Sequence, residues 1–129
     1  MESLTTLLAQ IIGMYFLVAG ISGFLNPTRM QKAIDEVTKS YLLPYLDGAM
    51  GLLMGLILVL IHNVWDDLLT SVISAIGWIA LIEGVLIMFL PQESVARLYG
   101  YFADKKLVAP ISLIAIVVGA YLTYSGFYL

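Results

Sequence analysis

Three side chains of this sequence have the type and setting for chemistry: Glu83, Asp47 and His62. Glu83 is the single charge in the apolar run Leu68–Pro91, LLTSVISAIGWIALIEGVLIMFLP, about eight residues before the closing proline. A carboxyl inside hydrocarbon is costly, so it must face a partner or be protonated, and intramembrane acids are functional candidates for that reason. It reads either as a proton or cation site or as a neutral carboxyl that hydrogen-bonds a neighbouring helix for packing alone. Asp47, near the start of another apolar run, could meet Glu83 to form a carboxyl pair. Alternatively it favours the positive end of its own helix dipole. His62, the one histidine, sits in the polar stretch His62-Asn63-Val64-Trp65-Asp66-Asp67. That stretch could offer an oxygen-rich metal site at the surface, or the ring could simply lie near the carbonyls ending a helix.

Nothing else assembles into a reaction centre. The serines are scattered, and no G-x-S-x-G, HExxH, P-loop or dinucleotide fingerprint occurs, so no enzyme, cofactor or metal is expected. The absence of cysteine removes disulfides, thiolate catalysis and Cys-ligated metal sites. A net charge of −3 with no basic patch argues against nucleic acid.

The elements that must position these residues are set by composition. Of 129 residues, 61% are hydrophobic and 12% charged, with a mean hydropathy of +0.99. Soluble domains carry about 25% charged residues. Four apolar runs of about 18–23 residues match the ~30 Å hydrocarbon thickness. Backbone groups in lipid must be satisfied within the segment, so each run is expected to be a helix. The chain is therefore read as one all-α integral membrane domain over 1–129, a four-helix bundle. Its spans are expected at about Leu4–Leu25, Leu42–Ile61, Leu68–Pro91 and Leu107–Tyr124. Met1-Glu2-Ser3 carries no basic residue, so the first run reads as a span rather than a secretory signal.

Two amphipathic segments join the spans in pairs. Pro27–Ser40 places Met30, Ile34, Val37 and Tyr41 on one face. The segment after Pro91 does so with Val95, Leu98, Tyr99 and Phe102, against polar Glu93, Arg97, Asp104, Lys105 and Lys106. Both suit the headgroup boundary. All six basic residues (Arg29, Lys32, Lys39, Arg97, Lys105 and Lys106) fall in these linkers. The positive-inside rule makes linkers 26–41 and 91–106 cytoplasmic and both termini external, in a bacterial or archaeal cytoplasmic membrane. Trp65, Tyr124 and Tyr128 are expected as interfacial anchors. Gln10 and Tyr15 can form interhelical hydrogen bonds, and Trp78 is expected to pack near the membrane middle.

The glycines repeat. Gly13, Gly20 and Pro27 recur 64 residues later as Gly77, Gly84 and Pro91, and Gly55 recurs as Gly119. This predicts two parallel repeats, about 4–63 and 67–128, each a helical hairpin with an amphipathic linker helix. Gly13, Gly20, Gly51, Gly55, Gly77, Gly84 and Gly119 are the expected packing positions, with Gly51–Gly55 forming a GxxxG pair. Ala19 stands where the second copy has Glu83.

The stretch Ile82–Gly126, with Glu83-Gly84, Pro91, a polar linker and Gly119 in the last helix, resembles the YjeT-like family of small bacterial membrane hairpins. The resemblance implies a fused pair of hairpins and names no activity. GMYFLVAGISGFLNP and the glycine-rich second span are similar to DoxX-like four-helix proteins. Two functions are expected to compete. One is a non-enzymatic module that works by helix–helix association in the lipid bilayer, as a homo-oligomer or with a membrane-protein partner. The other is a small transporter or channel using Glu83, supported by Asp47.

Overall fold

A computed structural model describes residues 3–102 and 105–128. Met1, Glu2 and Asp104 and the Lys105 side chain, all used in the sequence reading, lie outside what is described. Six helices follow in order: α1 Leu4–Leu25, α2 Pro27–Thr38, α3 Leu42–Ile61, α4 Leu68–Phe89, α5 Gln92–Phe102 and α6 Lys105–Tyr128. No strand occurs among the described residues. Four helices are long and apolar enough to cross a membrane: α1, α3, α4 and Lys106–Tyr128 of α6. Their outward surfaces are rich in Leu, Ile, Val and aromatic side chains, as a lipid solvent allows.

Local chemistry explains the boundaries. Ser3 caps α1 by accepting the Thr6 N–H at 3.1 Å. Asn26 ends α1, and Pro27 opens α2 at a first helical position, where a missing N–H costs nothing. Ser40 Oγ accepts the Leu43 N–H at 3.1 Å at the start of α3. Asp67 and Thr70 form a reciprocal capping box at the start of α4. The last span is longer than the expected Leu107–Tyr124, because α6 begins before Pro110 and continues through the aromatic tail to Tyr128.

The chain forms two compact units. One holds α1, α6 and the start of α2; the other is Ile34–Tyr101, with α3, α4 and nearly all of α5. The extensive helix pairings are α1 with α6 and α3 with α4. Each packed pair therefore joins one helix from before the 62–67 connection to one from after it. The hairpins expected from chain order, with the two helices of one repeat side by side, are not these pairs.

Glycine governs both pairs. In the first, a side chain on Gly13 would meet the Thr123 backbone, one on Gly20 the backbone of Ile116 and Ser112, and one on Gly119 the Leu17 nitrogen. In the second, Gly77 faces Leu58 and Val59, Gly84 faces Leu52 and Gly48, and Gly55 faces the Leu81 nitrogen. Backbones thus approach at distances only a missing Cβ permits, which is how apolar helices gain contact when lipid competes equally for their side chains. Gly51 is looser, since a Cβ there would sit 3.5 Å from the Ala80 carbonyl oxygen.

Candidate functional site

The carboxyl candidates lie at one end of the α3·α4 unit. Asp47 is five residues into α3 and Glu83 six residues before the end of α4. At a rise of ~1.5 Å per residue, each is about 7–9 Å from the linker-side end of its helix. The two share a depth, and the structure brings them within electrostatic reach of each other. Both side chains are exposed. Glu83 emerges into a shallow depression of about 240 Å³ lined by Ile79, Ile82, Leu86, Ile87 and Leu98. The carboxyl is thus set in an apolar face of a helix long and apolar enough to cross a membrane.

α5 supplies a third member that the sequence reading placed only on an amphipathic face. The Tyr99 hydroxyl donates to Asp47 Oδ2. Burial raises the phenol above its ordinary range, and the hydrogen bond to Asp47 and the charges of Asp47 and Glu83 push the same way. Two further contacts hold α5 in place. Gln92 Nε2 donates to the Ser40 carbonyl at 2.9 Å, and Val95 is 2% exposed. Gln92, Val95 and Tyr99 recur at helical spacing on one face, a signal visible in the sequence, but their partners lie 52 residues away in two of the three cases. Beside this helix a second cleft of about 520 Å³ opens between the start of α3 and the end of α4, with Tyr41, Tyr45, Met88 and Gln92 in its lining.

The opposite end of the same unit corrects the expectation for His62. The ring is not at the surface but 2% exposed. It is buried because Ser74, 1% exposed, draws the connecting segment against α4. Ser74 Oγ lies 3.0 Å from the His62 carbonyl and 2.7 Å from the Val64 carbonyl, accepts the Val64 N–H at 3.1 Å, and is 3.1 Å from His62 Nδ1. Asn63 Oδ1 accepts two indole N–H groups, from Trp65 at 2.8 Å and Trp78 at 3.2 Å. Trp78 is therefore tied to the 62–67 connection instead of packing independently along its helix. Asp67 is held below the usual carboxylate range, chiefly by the Thr70 backbone N–H and then by the Thr70 hydroxyl.

In the α1·α6 unit, Gln10 Nε2 donates to the Gly126 carbonyl at 2.9 Å. The Thr123 and Ser125 hydroxyls are buried without a hydrogen-bond partner. Tyr124 and Tyr128 are exposed, their ring centroids 5.3 Å apart, and Trp65 is exposed in the 62–67 connection. Tyr15 is exposed, with its ring tilted against Phe16. No family model, curated protein or solved structure matches the chain.

Proposed function

We propose that this protein is a non-enzymatic membrane module that acts by helix–helix association, with the Glu83 face of α4 as its contact surface. The observation that carries this reading is an exposed carboxyl on an apolar, membrane-length helix. Lipid is a poor cover for such a group: an acid costs about 2.5–3.5 kcal/mol at the centre of a spanning helix on insertion scales. That is an upper bound for Glu83, because it lies nearer the end of α4. A second copy or another membrane protein that hydrogen-bonds Glu83 removes that cost. The Gly51–Gly55 pair does not serve this purpose, because Gly55 is consumed within the α3·α4 pairing. Crosslinking in native membranes tests the proposal. Glu83→Leu is expected to abolish the crosslinked species while the protein still inserts and folds. A wild-type protein that is monomeric at every concentration and captures no partner overturns it.

One observation favours a second reading. Asp47 and Glu83 share a depth, and Tyr99 donates to Asp47, an arrangement suited to holding a proton or a cation for transport. Under this reading Glu83→Gln stops proton- or cation-coupled flux in liposomes and leaves the oligomer unchanged. Under association it leaves flux at the background of empty liposomes.

The orientation proposed with either reading puts linkers 26–41 and 91–106 in the cytoplasm of a bacterial or archaeal cell and both termini outside. The chain lacks cysteine, so Ser40→Cys and Asp66→Cys can be labelled singly. An impermeant thiol reagent is expected to reach position 66, and not position 40, from outside intact cells. We further infer that repeats 4–63 and 67–128 arose by duplication. The 64-residue spacing of the glycines supports this, as does the resemblance of the second half to single membrane hairpins, which implies a fused pair.

A further inference from the structure

The contacts of the two helix pairs correspond position by position. Leu17 against Gly119 becomes Leu81 against Gly55 on adding 64 to the first and subtracting 64 from the second. The same shift turns Gly23 against Ser112 into Ile87 against Gly48, with the small residue now on the other helix. It also turns the Gln10 side chain on the Gly126 carbonyl into the Ser74 side chain on the His62 carbonyl. The last correspondence involves different residue types performing one task, a polar side chain donating to the same carbonyl position. Shared glycine frequency does not produce it. Every one of these contacts runs between residues on opposite sides of the Trp65–Asp66 bond.

We infer that the two half-chains are mutual binding partners, joined at 62–67 but not held together by that join, and that the matching half of a second copy fits the same surface. The recognition is chemical as well as steric. Each half presents bare backbone at glycines on both of its long helices, and one polar side chain that bonds a carbonyl of the other half. This goes beyond the Glu83 contact proposed above and does not depend on the Glu83 carboxyl.

The test uses the full chain with a short protease recognition sequence inserted between the exposed Trp65 and Asp66, cut after purification in mild detergent. The halves are expected to co-elute in equal amounts. Halves that separate on cutting overturn the inference. In the cut protein, Gly55→Leu combined with Gly119→Leu is expected to release the halves, whereas Gly100→Leu, with nothing within 4 Å of its Cβ position, leaves them paired. A double variant that stays paired also overturns it. If the double variant does not fold, the cut wild-type protein decides alone.

For the second copy, N-terminally tagged and C-terminally tagged preparations are cut, mixed and warmed. The C-terminal tag is expected on resin that captures the N-terminal tag, above the level from uncut preparations mixed identically. Equal recovery from cut and uncut mixtures overturns the exchange. Glu83→Gln is expected to leave all these results unchanged, so failure here and failure of the association proposal are distinguishable.

Discussion

The α1·α6 and α3·α4 units use one packing scheme for two different surroundings. In both, glycines bring backbones together and one polar side chain pins the end away from the linker helices. Beyond that they diverge. The α3·α4 unit carries Asp47, Glu83 and Tyr99 at its linker end, and the positions that correspond to the two acids in the other pair are Ile111 and Ala19. It also docks its amphipathic helix through Gln92, Val95 and Tyr99, whereas α2 buries no residue. The common part is scaffold. The Asp47, Glu83 and Tyr99 group belongs to the α3·α4 unit and has no counterpart in the α1·α6 unit.

The largest expected effect attacks the common part. Gly55→Ala and Gly119→Ala each force a Cβ into the facing backbone, and each is expected to cost about 1–3 kcal/mol by overpacking. Gly51→Ala, with its 3.5 Å clearance, is expected to be tolerated. Unfolding in mixed detergent micelles measures all three. A mild Gly119→Ala beside a severe Gly55→Ala would break the correspondence of the two pairs.

A second comparison sets two buried serines against each other. Ser74→Ala strands the Val64 N–H and whichever of the His62 and Val64 carbonyls takes the single hydroxyl proton, and a buried group left unsatisfied costs about 1–3 kcal/mol. Ser125, equally buried but without a partner, has no bond to lose. Ser125→Ala is expected to leave stability unchanged or raise it, because an unpaired hydroxyl is removed from the interior.

Tyr99→Phe sharpens the difference between the linker helices. It removes the bond to Asp47, expected to cost about 0.5–1.5 kcal/mol, and to speed proteolysis of α5 toward the rate of α2. The sign with pH follows from the raised phenol. The contribution is complete below the ordinary tyrosine value near ~10 and is lost as pH rises through the folded value. Tyr99→Phe is expected to abolish that alkaline component.

The smallest effect is at Asp67. Its depressed carboxyl contributes above the unfolded value near ~3.9, and the contribution disappears as pH falls through the folded value. Asp67→Asn is expected to flatten the acid limb of the stability profile slightly.

The limits of α1 and α3 are legible because a span needs a set length of apolar residues and its ends need caps. Tyr99 was visible as one aromatic on an amphipathic face, but nothing local pairs it with an aspartate 52 residues earlier. His62 looked exposed beside Asn63 and Asp66, since polar neighbours suggest water. One buried hydroxyl, Ser74, brought it inside.

By itself the sequence determined that this chain is helical, that four of its helices are of membrane length, and where backbones can approach closely. Hydrocarbon thickness and the cost of unpaired backbone groups act on each segment independently, so these properties need no knowledge of neighbours. Only the tertiary structure decided which helix each glycine meets, that Gly55 is spent inside the chain, and that Glu83 opens outward from an apolar face. Close packing on glycine has no directional chemistry. Any bare backbone accepts any other, and the choice of partner is made by the whole set of contacts at once.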